Sequence, residues 1–125
     1  MLARVFLAVV GVLYAGLAVY CAVAPQKAAD TVGLELKGGS GRSEFLTVYG
    51  GLEMGMALFF LLAAWRPEHA RSAVLACLAI HACLVLFRGA SFVMFDGIGT
   101  STYKLAVGEW LIFLASIGVW WKGRG

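Results

Sequence analysis

Apolar residues in this chain run in long unbroken stretches rather than in alternation. Four stretches, Val5–Ala24, Phe45–Trp65, Ser72–Phe87 with an extension to Phe95, and Leu105–Trp121, occupy most of its 125 residues. Crossing a hydrocarbon core of about 30 Å takes about 20 helical residues, and all four stretches reach that range. Backbone groups in lipid must be paired within their own segment or in a closed barrel. With no strand-like alternation, the stretches predict helices. The expected architecture is an all-α integral membrane four-helix bundle, one domain over residues 1–125, with spans near 5–24, 45–65, 72–95 and 103–121.

Punctuation between the spans supports this division. Pro25 ends the first span, 26–32 suits a short interfacial helix, and Gly38-Gly39-Ser40-Gly41 reads as a flexible link. Ser43 and Glu44 suit the start of the second span as cap and dipole partner. Arg66-Pro67-Glu68 makes a tight turn, and Asp96-Gly97-Ile98-Gly99-Thr100 another. Small residues mark the packing surfaces: Gly11, Ala15, Ala18 and Ala22 on the first span, Gly51 and Gly55 on the second. Such residues let membrane helices approach closely.

Composition sharpens the picture. The chain is 62% hydrophobic and 14% charged, against roughly a quarter charged in soluble domains, so no soluble face remains. Arg4 and the Ala22-Val23-Ala24 triplet resemble parts of a secretory signal. The apolar run is longer than the roughly 7–15 residues of a signal core, and Pro25 follows the would-be cut, so the first span is read as retained. The net charge of +3 forms no basic stripe, and nucleic acid is not an expected partner. Cys21, Cys77 and Cys83 lack CxxC spacing, so neither a disulfide framework nor a metal site is expected, and no cofactor is implied.

Against this apolar background three charges stand out. Counting about 1.5 Å per residue from the span ends puts Glu53 roughly 12 Å deep, Arg88 roughly 10 Å and Glu109 roughly 7 Å, all in one leaflet half. A charge at the centre of a bilayer helix costs roughly 2.5–3.5 kcal/mol, so such residues usually pair and mark a polar site. The expectation is a clasp in which Arg88 is held by Glu53 and Glu109 together. Tyr49, one turn from Glu53, joins the cluster. So does His81, on the helix face shared by Cys77, Leu84, Arg88 and Ser91. Thr102, Glu109 and Ser116 recur every seven residues on the fourth span. No nucleophile–base pair or phosphate loop appears, and catalysis is not indicated.

Tyr49-Gly50-Gly51-Leu52-Glu53-Met54-Gly55, taken with Arg88-Gly89, Asp96-Gly97 and Glu109, resembles a family of small four-helix bacterial membrane proteins known as a domain of unknown function. That family is in turn distantly similar to DoxX-like proteins. The resemblance spans nearly the whole chain, and Tyr-Gly-Gly-x-Glu is its most specific part. It implies a shared set of Tyr49, Gly50, Gly51, Glu53, Arg88 and Glu109 and a place in the bacterial inner (cytoplasmic) membrane. An Arg common in that family three residues before the Tyr is Leu46 here, with Arg42 one turn further out.

The sequence leaves several roles open. The polar cluster suits a small or amphipathic ligand such as a lipid or quinone-like molecule, with the lipid bilayer itself as constant partner. The alternatives are an accessory subunit meeting a partner membrane protein or a second copy, and a proton-coupled small-molecule transporter.

Orientation follows from the basic residues. Arg4, Arg66, Arg71, Lys122 and Arg124 fall on one side of the four spans, and Lys27, Lys37, Arg42 and Lys104 on the other. The excess is expected to be cytoplasmic, which puts both termini there. Alkaline phosphatase fused after Gly125 is expected to be inactive, and an active fusion would mean the inverted topology.

Overall fold

The computed structural model describes residues 1–123 and contains five helices and no strand among them. They are α1 (Leu2–Val23), the short α2 (Pro25–Thr31), α3 (Gly38–Trp65), α4 (Pro67–Met94) and α5 (Thr100–Lys122). Arg124, one of the basic tail residues, lies outside the described residues.

α1, α3, α4 and α5 are 22, 28, 28 and 23 residues long, or about 33–42 Å at 1.5 Å per residue. No more than 28% of the most apolar 18-residue window of any of them is buried inside the bundle. The remaining apolar surface faces outward, where only lipid makes it favourable. The chain is therefore a membrane-spanning helical bundle.

Helix boundaries differ from the sequence expectation mainly at the second and third spans. α3 begins at Gly38 rather than near residue 45, so the Gly38–Gly41 segment is helix and not a free link. Lys37 takes the cap position, its carbonyl accepting from Gly41 N at 3.0 Å. Ser43 and Glu44 consequently sit within α3 and cap nothing. α4 begins at Pro67, where a missing N–H costs nothing, so Arg71 lies in the helix and Arg66 alone separates α3 from α4. Pro25 opens α2 in the same way. α2 closes at Gly33, whose φ of +77° suits glycine. There Leu34 N bonds Ala29 O at 2.9 Å and Gly33 N bonds Asp30 O at 3.1 Å, a paired closure of the helix end.

Within α3, residues Leu46–Leu52 are wound as a π-helix, with Glu53 N reaching back to Val48 O. This segment contains Tyr49, Gly50 and Gly51. Such turns are rare and concentrate at functional sites.

α1 packs most extensively along α3, and α4 along α5, with α4 also touching α1 and α3. The α1–α3 seam is close. Leu7, Val10, Gly11, Tyr14 and Ala18 form the buried stripe of α1, and Ala57, Phe60 and Ala63 that of the α-helical part of α3. A Cβ added at Gly11 would lie 2.7 Å from Leu61 Cγ and 3.2 Å from the Ala57 carbonyl. Gly50 is buried too, with Ala22 Cβ 3.7 Å from where its own Cβ would be. Ala15 is half-buried against the same core.

Gly51 and Gly55 are not on this seam. Nothing lies within 4 Å of a Cβ built on either, and both are exposed. Gly50, Ala57 and Phe60 take the face toward α1, which turns the neighbouring glycines outward.

Gly11→Leu should therefore destabilise the protein in detergent by overpacking, by about 1–3 kcal/mol, whereas Gly51→Leu should melt like the wild type. Equal losses at both positions would contradict this assignment of faces.

Candidate polar site

Contacts step along the α4–α5 seam in antiparallel register. Phe92 stacks on Tyr103 with ring centroids 4.7 Å apart. Next, Arg88 Nε donates to Glu109 Oε1 at 2.8 Å and Arg88 Nη2 to Glu109 Oε2 at 2.7 Å. Ser116 and Cys77 follow, and then Arg71 Nη1 donates to Gly123 O at 3.0 Å while lying 4.1 Å over the Trp120 ring. Arg4 at the same end of the bundle donates through Nε to Ala64 O at 2.7 Å. One end thus gathers Arg4, Arg66 and Arg71 with Trp65, Trp120 and Trp121.

The Arg88–Glu109 pair is a two-pronged fork, the geometry that matches a planar guanidinium to a carboxylate. Its side chains are 28% and 14% exposed. Ser91 Oγ donates to the Arg88 carbonyl at 2.6 Å, anchoring the backbone there. Arg88 has five N–H donors, and the fork leaves Nη1 and one Nη2 hydrogen unengaged by Glu109.

His81 sits elsewhere. It is 0% exposed at the middle of α4 and joins a separate buried chain. Its Nδ1 lies 2.8 Å from the Cys77 carbonyl and its Nε2 2.7 Å from the Tyr14 hydroxyl. A carbonyl only accepts, so Nδ1 carries the proton and the bare Nε2 accepts from Tyr14 O–H. This neutral form satisfies every buried polar atom, and no such atom lacks a partner among the described residues. Cys77 Sγ lies 3.6 Å from His81 Nδ1 and 3.5 Å from Ser116 Oγ, and Ser116 gives its hydroxyl proton to Ile112 O at 2.7 Å. α1 and α4 are thereby tied through one buried imidazole, and α5 joins them at the Cys77 sulfur.

The three-charge clasp does not form. Glu53 is half-buried and makes no hydrogen bond or ion pair among the described residues, and Arg88 pairs with Glu109 alone. The cause is α3 itself. Its contacts run Gly11 to Ala57 and Ala22 to Gly50, so Glu53, lying between them, is held to the α1 side of the bundle. There it is within electrostatic range of Tyr14 and Cys21. Tyr49 stacks on Phe45 with centroids 4.6 Å apart and lies within electrostatic range of Arg88, without a hydrogen bond to Arg88 or Glu53.

Tyr14 is the site residue that sequence reasoning missed. A signal was present: in the otherwise aliphatic stripe of Leu7, Val10, Gly11 and Ala18, a tyrosine has a hydroxyl that must find a partner. His81 at the same depth on another span was the available acceptor.

No group of three or more His, Cys, Asp or Glu side chains suited to a metal occurs among the described residues. The arrangement instead offers a fixed guanidinium with unused donors, and on α3 a carboxyl without a partner among the described residues.

The family model described as "Domain of unknown function (DUF4345)" matches residues 2–121. No curated protein and no solved structure matches the chain.

Proposed function

The chain belongs to the family described as a domain of unknown function, DUF4345, and from that premise we propose that it is a bacterial inner-membrane protein that binds a small amphipathic molecule, lipid or quinone-like, without transforming it. Both termini are cytoplasmic in this reading, as the basic end of the bundle suggests. The observation that carries the proposal is the division of the charges. Arg88 is locked by Glu109 yet retains free donors and 28% exposure, while Glu53 on α3 has no partner among the described residues. An intramembrane charge kept without a protein partner is costly and marks a functional position. A ligand with a carbonyl or phosphoryl oxygen for Arg88 and a hydroxyl for Glu53 would satisfy both and keep its tail in lipid.

One observation favours a second reading, an accessory subunit. Gly51 and Gly55 lie on an outward face of α3, with nothing within 4 Å of where a methyl group on either would lie, and such faces suit close contact with another membrane helix.

Mass spectrometry of the protein purified in mild detergent separates these readings. A retained small amphiphile is expected from the wild type and is expected to be lost from Glu53→Gln, whose melting should stay within about 0.5 kcal/mol because no native contact is broken. Equal amounts of the same species in both proteins would overturn the proposal, and a stoichiometric second polypeptide in its place would establish the subunit reading.

A further inference from the structure

A second region of the molecule has the chemistry of a ligand site and shares no residue with the polar cluster. Where α1 ends, α2 follows and α3 begins, an open pocket of about 470 Å³ lies at the surface. Val23, Pro25 and Leu36 supply its apolar lining, and Lys27 and Arg42 its charged groups. A second groove of about 430 Å³ shares Val23, Ala24 and Lys27 with the first and continues along α1 past Tyr20 and Val19 to Gly16. Gly16, Val19, Tyr20 and Val23 follow the i, i+3, i+4, i+7 spacing of one helix face, so this groove runs down the lipid-facing side of α1. At Gly16 nothing lies within 4 Å of a built Cβ, leaving the groove open there.

The cations at the top of this path are unengaged. Neither the Lys27 ammonium nor the Arg42 guanidinium makes an ion pair or side-chain hydrogen bond among the described residues. No carboxylate lines either groove. Asp30, the acid nearest along α2, is occupied by Gln26 Nε2 at 2.9 Å. α2 itself is fixed, with Ala28 and Ala29 buried against Phe45. The platform that presents Lys27 is thus held to the start of α3, which presents Arg42.

We propose that this corner binds a phospholipid of the surrounding bilayer, with its phosphate between Lys27 and Arg42 and one acyl chain lying along Val23, Tyr20 and Gly16. Charge complementarity selects the phosphate, and the apolar groove leading from it into the membrane selects a chain attached to that phosphate. Two basic groups at a membrane surface attract an anionic headgroup. The site stands independently of the ligand proposed for Glu53 and Arg88.

The test is native mass spectrometry of the full chain, delipidated in detergent and re-exposed to dioleoylphosphatidylglycerol or to dioleoylglycerol, which lacks the phosphate. The phosphatidylglycerol adduct is expected on the wild type and is expected to fall about thirtyfold in the Lys27→Gln/Arg42→Gln double variant, which removes both basic groups. Gly16→Leu, which fills the groove and leaves both cations in place, should weaken the same adduct. Lys104→Gln, which removes an exposed cation that lines neither groove, should leave it unchanged, which ties the loss to this corner. Two outcomes would overturn the proposal: an adduct undiminished in the double variant, or dioleoylglycerol retained as strongly as phosphatidylglycerol.

Discussion

Water does not reach the interior of a membrane span, so a polar side chain there must find its partner within the protein or carry the full cost of desolvation. The arrangement of this bundle follows from how its few polar residues meet that demand. α4 supplies most of them and becomes the hub. Through His81 it holds Tyr14 of α1, and through Arg88 and Cys77 it holds Glu109 and Ser116 of α5. These contacts are directional, so they set the depth at which α1 and α5 stand beside α4. Apolar packing in lipid discriminates register weakly, because lipid tails are as apolar as the side chains they replace. The α1–α3 seam is settled differently, by the close approach that Gly11 and Gly50 allow.

α3 departs from this economy. It contains the π-helical segment Leu46–Leu52, the outward-facing Gly51 and Gly55, and Glu53 without a partner among the described residues. The π winding and the unpartnered carboxyl depart from local rules that the other helices obey. Natural chains concentrate such departures where function requires them. The π-wound backbone and the adjoining carboxyl occupy one stretch of eight residues, 46–53, which makes α3 the element on which a ligand or partner has most to act.

The spans, their number and their antiparallel connections were legible in the sequence because lipid enforces long apolar runs and leaves few alternatives. The Pro25 and Pro67 boundaries and the 96–100 turn were legible for local steric reasons. Depth along each helix was legible as well, and it brought Arg88 and Glu109 to one layer. Rotation was not. Which face of α3 meets α1 depends on the π-helical segment and on side-chain fit, neither of which leaves a periodic trace, so Gly51, Gly55 and Glu53 were assigned to the wrong contacts. The Tyr14–His81 bond was out of reach for a related reason: pairing α1 with α4 is a tertiary choice that depth alone does not make. The early start of α3 escaped because Gly38-Gly39-Ser40-Gly41 has weak helix propensity, overridden by the packing of Phe45 against α2.

The central claim is that the charges within the spans resolve into one tight pair and one carboxyl without a partner among the described residues. A pair of double-mutant cycles in thermal or denaturant unfolding tests it most directly. Arg88→Met and Glu109→Gln should be strongly non-additive, with a coupling of about 2 kcal/mol, between the values for exposed and fully buried pairs. Arg88→Met and Glu53→Gln should add. Additive losses in the first cycle, or coupling of that size in the second, would contradict the account.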